Sequence, residues 1–253
     1  MAIWENPNIL SGTSTQQQVA GANKAELGLC IIHTGTVSTE WAMRFKLLQM
    51  PPFVYVFNRN QPYDTAREQC TRAVLQNKDV KWVFHLDTDV LIPIDAVPKM
   101  IEFAEQFNLP VLSGLYWAKK PGLPMPAAWI KTGEHPEEMR YDFAPIDVKP
   151  HMDTGALLPV DVVGAGCLLI KRDVFEKLDK TNPNKPYFQW GLGRKEKSTG
   201  KPLLQMSEDF YFCTRVVEEL NIHPHLCSNV RCDHIATVYR RGEDGEFELS
   251  TRI

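Results

Sequence analysis

Along the first half of the chain, short and nearly unbroken apolar runs alternate with stretches in which apolar residues recur every three or four positions. Leu27-Gly28-Leu29-Cys30-Ile31-Ile32-His33 and Phe53-Val54-Tyr55-Val56-Phe57 read as buried strands, as do residues 81–86 and 110–114. The stretches between them predict helices: 39–48, closed by Pro51-Pro52; 64–76, with Ala66, Cys70, Ala73 and Val74 at helical spacing; and 95–107. Strands that are continuous hydrophobics between helices predict a parallel sheet covered on both faces, the pattern of a nucleotide-binding α/β half.

From residue 116 to about 159 this rhythm breaks into a Pro-rich stretch, read as long loops with one strand at 127–131. Residues 160–171 then predict a strand, 173–178 a short helix, 207–220 a longer helix and 223–230 a last strand. Residues 182–202, polar and rich in Gly and Lys, read as a mobile loop able to close over a ligand. The expected division is a weakly ordered arm at 1–26, a single domain at 27–236 and a tail at 237–253. Within the domain, 27–114 form a nucleotide-binding half and 115–236 an acceptor half.

Composition narrows the classes. In 253 residues, 28 basic against 31 acidic side chains leave a net charge of −3, and 43% of residues are apolar. That is ordinary globular usage, and the balance argues against nucleic acid as a partner, which would call for a basic face. No apolar run approaches the ~18 residues a membrane span needs. The start, Met1-Ala2-Ile3-Trp4-Glu5, lacks the basic and apolar stretches of a secretion signal, so a cytoplasmic location is expected. The cysteines are then expected as buried thiols and not disulfides, those near residue 230 excepted.

Four groups of residues could carry chemistry. Asp87-Thr88-Asp89 ends the third strand, where α/β sheets bind ligands; two carboxylates so close repel unless a cation lies between them, and hard oxygen ligands suit Mg²⁺ or Mn²⁺. A surface turn with a capping Asp would give the same three letters. Ser207-Glu208-Asp209 opens a helix, which is good capping chemistry and equally a place for an ionised general base, Asp209 or Glu208. Gly164-Ala165-Gly166 interrupts a strand, marking a bulge or tight strand packing on one reading and a substrate-lining surface on the other. Finally, His223, His225, Cys227, Cys232 and His234 could build a zinc site, though without a Cys-x-x-Cys knuckle; His234 alone could join the Asp87/Asp89 cation and tilt it toward Mn²⁺.

In this order the motifs resemble those of GT-A nucleotide-sugar glycosyltransferases, particularly the small family-2-like enzymes. The resemblance rests on Asp64-Thr65-Ala66-Arg67, on residues 82–90 around Asp87-Thr88-Asp89 with Pro93, and on Val111-Leu112-Ser113-Gly114-Leu115-Tyr116. It continues through residues 163–176, Ser207-Glu208-Asp209 and Cys232-Asp233-His234, spanning about residues 27–236. It implies an α/β fold, a single GT-A (Rossmann-like) domain whose mixed, mostly parallel central sheet is flanked by helices. It also implies a hexosyl transfer from a nucleotide-sugar, UDP- or GDP-linked, to a hydroxyl acceptor, with inversion favoured. Asp87, Asp89 and His234 would hold Mn²⁺ or Mg²⁺, Asp209 would be the base with Glu208 beside it, and Thr34, Gly35, Arg67, Asp87 and Thr88 would contact the nucleotide. Gly164, Ala165, Gly166 and Trp190 would line donor and acceptor, with Trp117 and Trp129 as further sugar platforms. The chain departs from the pattern at Glu68, where relatives often carry Asn after Ala-Arg. The alternatives are a sugar-phosphate nucleotidyltransferase, although residues 33–38 lack the basic loop that chemistry wants, and a non-catalytic module stabilised by zinc at 223–234.

Overall fold

The computed structural model describes residues 16–20, 24–33, 35–118, 125–135, 140–151, 154–190, 206–235, 237–241 and 247–251. The first strands, with helices between them, are β1 (Gln16–Ala20), β2 (Leu27–His33), β3 (Phe53–Arg59) and β4 (Trp82–Asp87). The helices are α1 (Thr39–Leu47), α2 (Tyr63–Leu75), α3 (Ala96–Gln106), α4 (Arg172–Thr181) and α5 (Glu208–Leu220). One sheet of eight strands runs in the order β1, β3, β2, β4, Cys167–Lys171, Val111–Leu115, His225–Arg231, Leu157–Pro159. β2 is parallel to both β3 and β4, and His225–Arg231 is parallel to Val111–Leu115. Cys167–Lys171 is antiparallel to both of its neighbours, so five strands share one direction and the sheet is mixed. This is an α/β architecture, a mixed and mostly parallel central sheet flanked by helices.

The hydrophobic runs explain the layers. Successive side chains of β2 point to opposite faces: Cys30 and Ile32 join a core with Ala66, Cys70 and Val74 of α2 and Phe212, Cys213 and Val216 of α5. Leu27, Leu29 and Ile31 join a second core with Trp41 of α1 and Val97, Met100 and Ala104 of α3. Burial on both faces is why these strands read as unbroken apolar stretches. All six cysteines are buried with free thiols. No helix among the described residues is long and apolar enough to cross a membrane.

The second half holds more strand than its pattern predicts. Ala128–His135 pairs with Arg140–Pro145 and with Val162–Val163 in a separate three-stranded sheet. The expected strand at 160–171 is therefore two: the chain leaves the small sheet at Val163, turns through Gly164-Ala165-Gly166 and enters the central sheet at Cys167. Gln16–Ala20 adds to the sheet edge antiparallel to β3, and Thr237–Arg241 pairs with Phe247–Thr251. The expected mobile loop is in part anchored. Tyr187 and Phe188 are buried, and Glu68 accepts the backbone N–H of both, at 2.7 and 3.1 Å, which fixes residues 185–190 against α2. Residues 191–202 of that loop lie outside the described residues.

Candidate active site

Four segments distant in sequence meet at the carboxyl end of β4. Asp87 closes the strand, and its backbone N–H donates to the Gly166 carbonyl at 3.0 Å, seating the glycine turn beside it. Past Asp87 the chain pairs Val90 with His234, and Ile235 N–H donates to the Asp89 carbonyl at 2.7 Å. A two-residue antiparallel bridge thus carries His234 to the acidic tripeptide across 145 positions of sequence. The fourth segment is the start of α5, with Glu208 and Asp209 in its first turn.

Arg67 of α2 ties these segments together. Its Nη2 donates to both carboxylate oxygens of Asp87 at 2.9 Å, its Nε to Glu208 Oε1 at 3.1 Å and its Nη1 to the Ala165 carbonyl at 3.2 Å. The Arg67 side chain is 3% exposed and that of Glu208 8%. Burial works against the arginine's charge, but Asp87 and Glu208 more than offset it and hold the guanidinium protonated. Burial pushes the Asp87 carboxyl above its ordinary range, against the pull of Arg67.

Asp209 lies beside this network. Its Oδ1 accepts from the Ser207 hydroxyl and from the Phe210 N–H at 2.9 Å, so Ser207 bonds the acid rather than capping the helix through its side chain. Burial, and then the neighbouring charge of Glu208, push its carboxyl up to about 6. That is a suitable value for a group that must take a proton near neutral pH.

His234 is oriented from behind. Its Nδ1 lies 2.7 Å from the Trp117 carbonyl, which can only accept, so Nδ1 carries the hydrogen and Nε2 faces Asp89 Oδ2 at 3.5 Å. The Tyr116 ring meets the imidazole edge-on at 5.5 Å, while its hydroxyl accepts from Gly166 N–H at 2.9 Å. A Cβ at Gly164 would collide with the Tyr116 hydroxyl, and one at Gly166 would come within 2.9 Å of Val90. Both glycines are thus required by close packing around Tyr116.

The other expected residues are distributed as follows. Gly35 sits at the end of β2 with φ +116°, its N–H donating to His33 Nδ1 at 3.1 Å, while Thr34 lies outside the described residues. Thr88 occupies the turn between the two acids. Trp190 is 37% exposed, with its backbone N–H held by Asp64 at 3.0 Å. Trp129 packs on Phe210, ring centroids 4.8 Å apart, and Trp117 serves through its carbonyl. The 223–234 cluster does not converge: Cys227 and Cys232 belong to the apolar core, whereas His223 bonds Asp161 and His225 bonds the His223 carbonyl. Among the described residues no three His, Cys, Asp or Glu groups form a ready-made metal cluster. Tyr116 and Glu68 carry weight that the motifs did not assign them. The signals were the departure at Glu68 and the place of Tyr116 at the end of the Val111–Tyr116 motif, neither with a role attached.

No family model matches the chain, and no curated protein matches it. Among solved structures it is similar to the crystal structure of A197 from STIV, with a TM-score of 0.52 and 18% identity over 89% of this chain and 93% of that one. Another match is the crystal structure of GalNAc-T7 with UDP, GalNAc and Mn2+, at a TM-score of 0.46 and 11% identity over 85% of this chain and 45% of that one. At 18% identity the first of these likenesses concerns the fold alone.

Proposed function

We propose that the protein is a metal-dependent glycosyltransferase that moves a sugar from a UDP- or GDP-linked donor to a hydroxyl acceptor with inversion. The observation that carries the reading is the meeting of Asp87-Thr88-Asp89, His234, Glu208-Asp209 and the Gly164–Gly166 turn at one rim of the sheet.

The residues present fit a divalent cation. Asp89 offers a hard oxygen and His234 an imidazole whose Nε2 is aimed by the Trp117 carbonyl. An ion held by these two groups would complete its shell with water and substrate phosphates. Asp89 and His234 would hold it, with Asp87 alongside, and when bound it would neutralise a diphosphate and act as Lewis acid toward the leaving nucleotide. Asp209, ionised above pH of about 6, takes the proton of the acceptor hydroxyl as that oxygen attacks the anomeric carbon. Glu208, held by Arg67, keeps α5 in place. The glycine turn, packed on Tyr116, seats the end of β4 at Asp87, and Gly35 with φ +116° turns the chain just past β2.

A thermal-shift panel of UDP-, GDP-, CMP- and dTDP-sugars, with and without Mn²⁺, tests this. Stabilisation by one nucleotide class, present only with the cation, is expected through preferential binding to the folded state. Unchanged melting across the whole panel would overturn the reading.

A further inference from the structure

Arg67 offers a nucleotide very little. Its side chain is 3% exposed, and each of its three nitrogens already donates inside the protein. What distinguishes it is the set of partners: Asp87 at the end of β4, Ala165 in the glycine turn and Glu208 at the start of α5. These belong to the cation side of the cleft, the seam between the two sheets and the base-bearing helix. One planar group with five N–H donors in a fixed fork can serve three acceptors set in different directions; an ammonium on a flexible stem cannot hold all three in register. Glu208 immediately precedes Asp209, so any shift of the Arg67–Glu208 pair moves the acid beside it.

We propose that Arg67 is a positioning residue for the transfer reaction: a buried strut that fixes the distance between the cation-side acids and Asp209, and makes no contact with the donor. The proposal rests on the glycosyltransferase reading above. It predicts a particular division of kinetic effects, because a strut acts on the reacting geometry and leaves donor binding alone.

The test compares Arg67→Lys, Glu208→Gln and the double variant with the wild type. Calorimetric titration of UDP and GDP in the presence of Mn²⁺ gives the nucleotide Kd, and steady-state kinetics give kcat and KM. Arg67→Lys should lower kcat by about a hundredfold. Nucleotide Kd and donor KM should stay within about threefold of wild type. Glu208→Gln, which retains an oxygen to accept from Arg67, should lower kcat by about tenfold, and the double variant should lose less than the product of the two, since both act on one contact. A rise of Kd and KM with kcat preserved would show a donor contact, and multiplicative losses would show independent roles; either overturns the proposal. Should Arg67→Lys not fold, the split is read from Glu208→Gln, and a wild-type kcat there overturns it equally. A wild-type protein that binds neither nucleotide with Mn²⁺ overturns the glycosyltransferase reading itself, a result visible before any variant is made.

Discussion

The two acidic motifs divide in the same way. In each, one carboxylate faces inward and is bonded to Arg67 (Asp87 and Glu208), while its near neighbour lies outside those hydrogen bonds (Asp89 and Asp209). The inner acids are fixed by a buried guanidinium and act as framework. Of the outer two, Asp89 has a side chain 45% exposed and faces an oriented imidazole, and Asp209 has a carboxyl displaced toward neutral pH. Two acids at adjacent or alternate positions therefore sit in different environments, one inside the Arg67 network and one beside it.

Substitutions can break this contrast. Asp89→Ala should have the largest effect: loss of cation-dependent nucleotide binding and a fall in turnover of about a thousandfold or more, read by titration and assay. Glu208→Ala should act on the fold, since it leaves Arg67 half-paired and buried. A loss of about 3–5 kcal/mol in denaturant unfolding is expected. Asp209→Asn should do the reverse, cutting turnover about a hundredfold or more while raising the melting temperature at pH 8. The sign follows from its folded-state value, about 6 against an ordinary 3.8. A raised carboxyl contributes stability that is complete below the ordinary value and lost as pH rises through the folded one, so removing the charge helps above pH of about 6. The same group should give wild-type activity an acidic limb, rising as pH climbs through about 6, and a flat profile from pH 5 to 7 would contradict its role. The smallest effect is expected at Gly164→Ala, where the new methyl meets the Tyr116 hydroxyl, at about 1–3 kcal/mol of stability.

The first half was legible in the sequence because its strands are covered on both faces and its helices keep their apolar residues on one side. The small sheet was not. Arg140–Pro145 mixes charged, aromatic and proline residues, and Val162–Val163 is too short to separate by pattern from the strand that follows. Only the pair of glycines marked the break, and they carried two readings. At the site, the acidic motifs stood out through their place at element ends, whereas the meeting of His234 with Asp89 depends on a two-residue bridge that no local spacing encodes. The burial of Arg67 was hidden for the same reason, since its partners lie 20, 98 and 141 positions away.

The turn at Gly164-Ala165-Gly166 has a consequence for how such a protein could change. It joins the large sheet, whose β4 ends at Asp87, to a small one whose strands pair with each other. The outer surface of the small sheet, where Ile130 is 41% exposed, can be rebuilt without disturbing the backbone bond from Asp87 to Gly166. That surface is open to change while the residues gathered around Asp87 stay as they are.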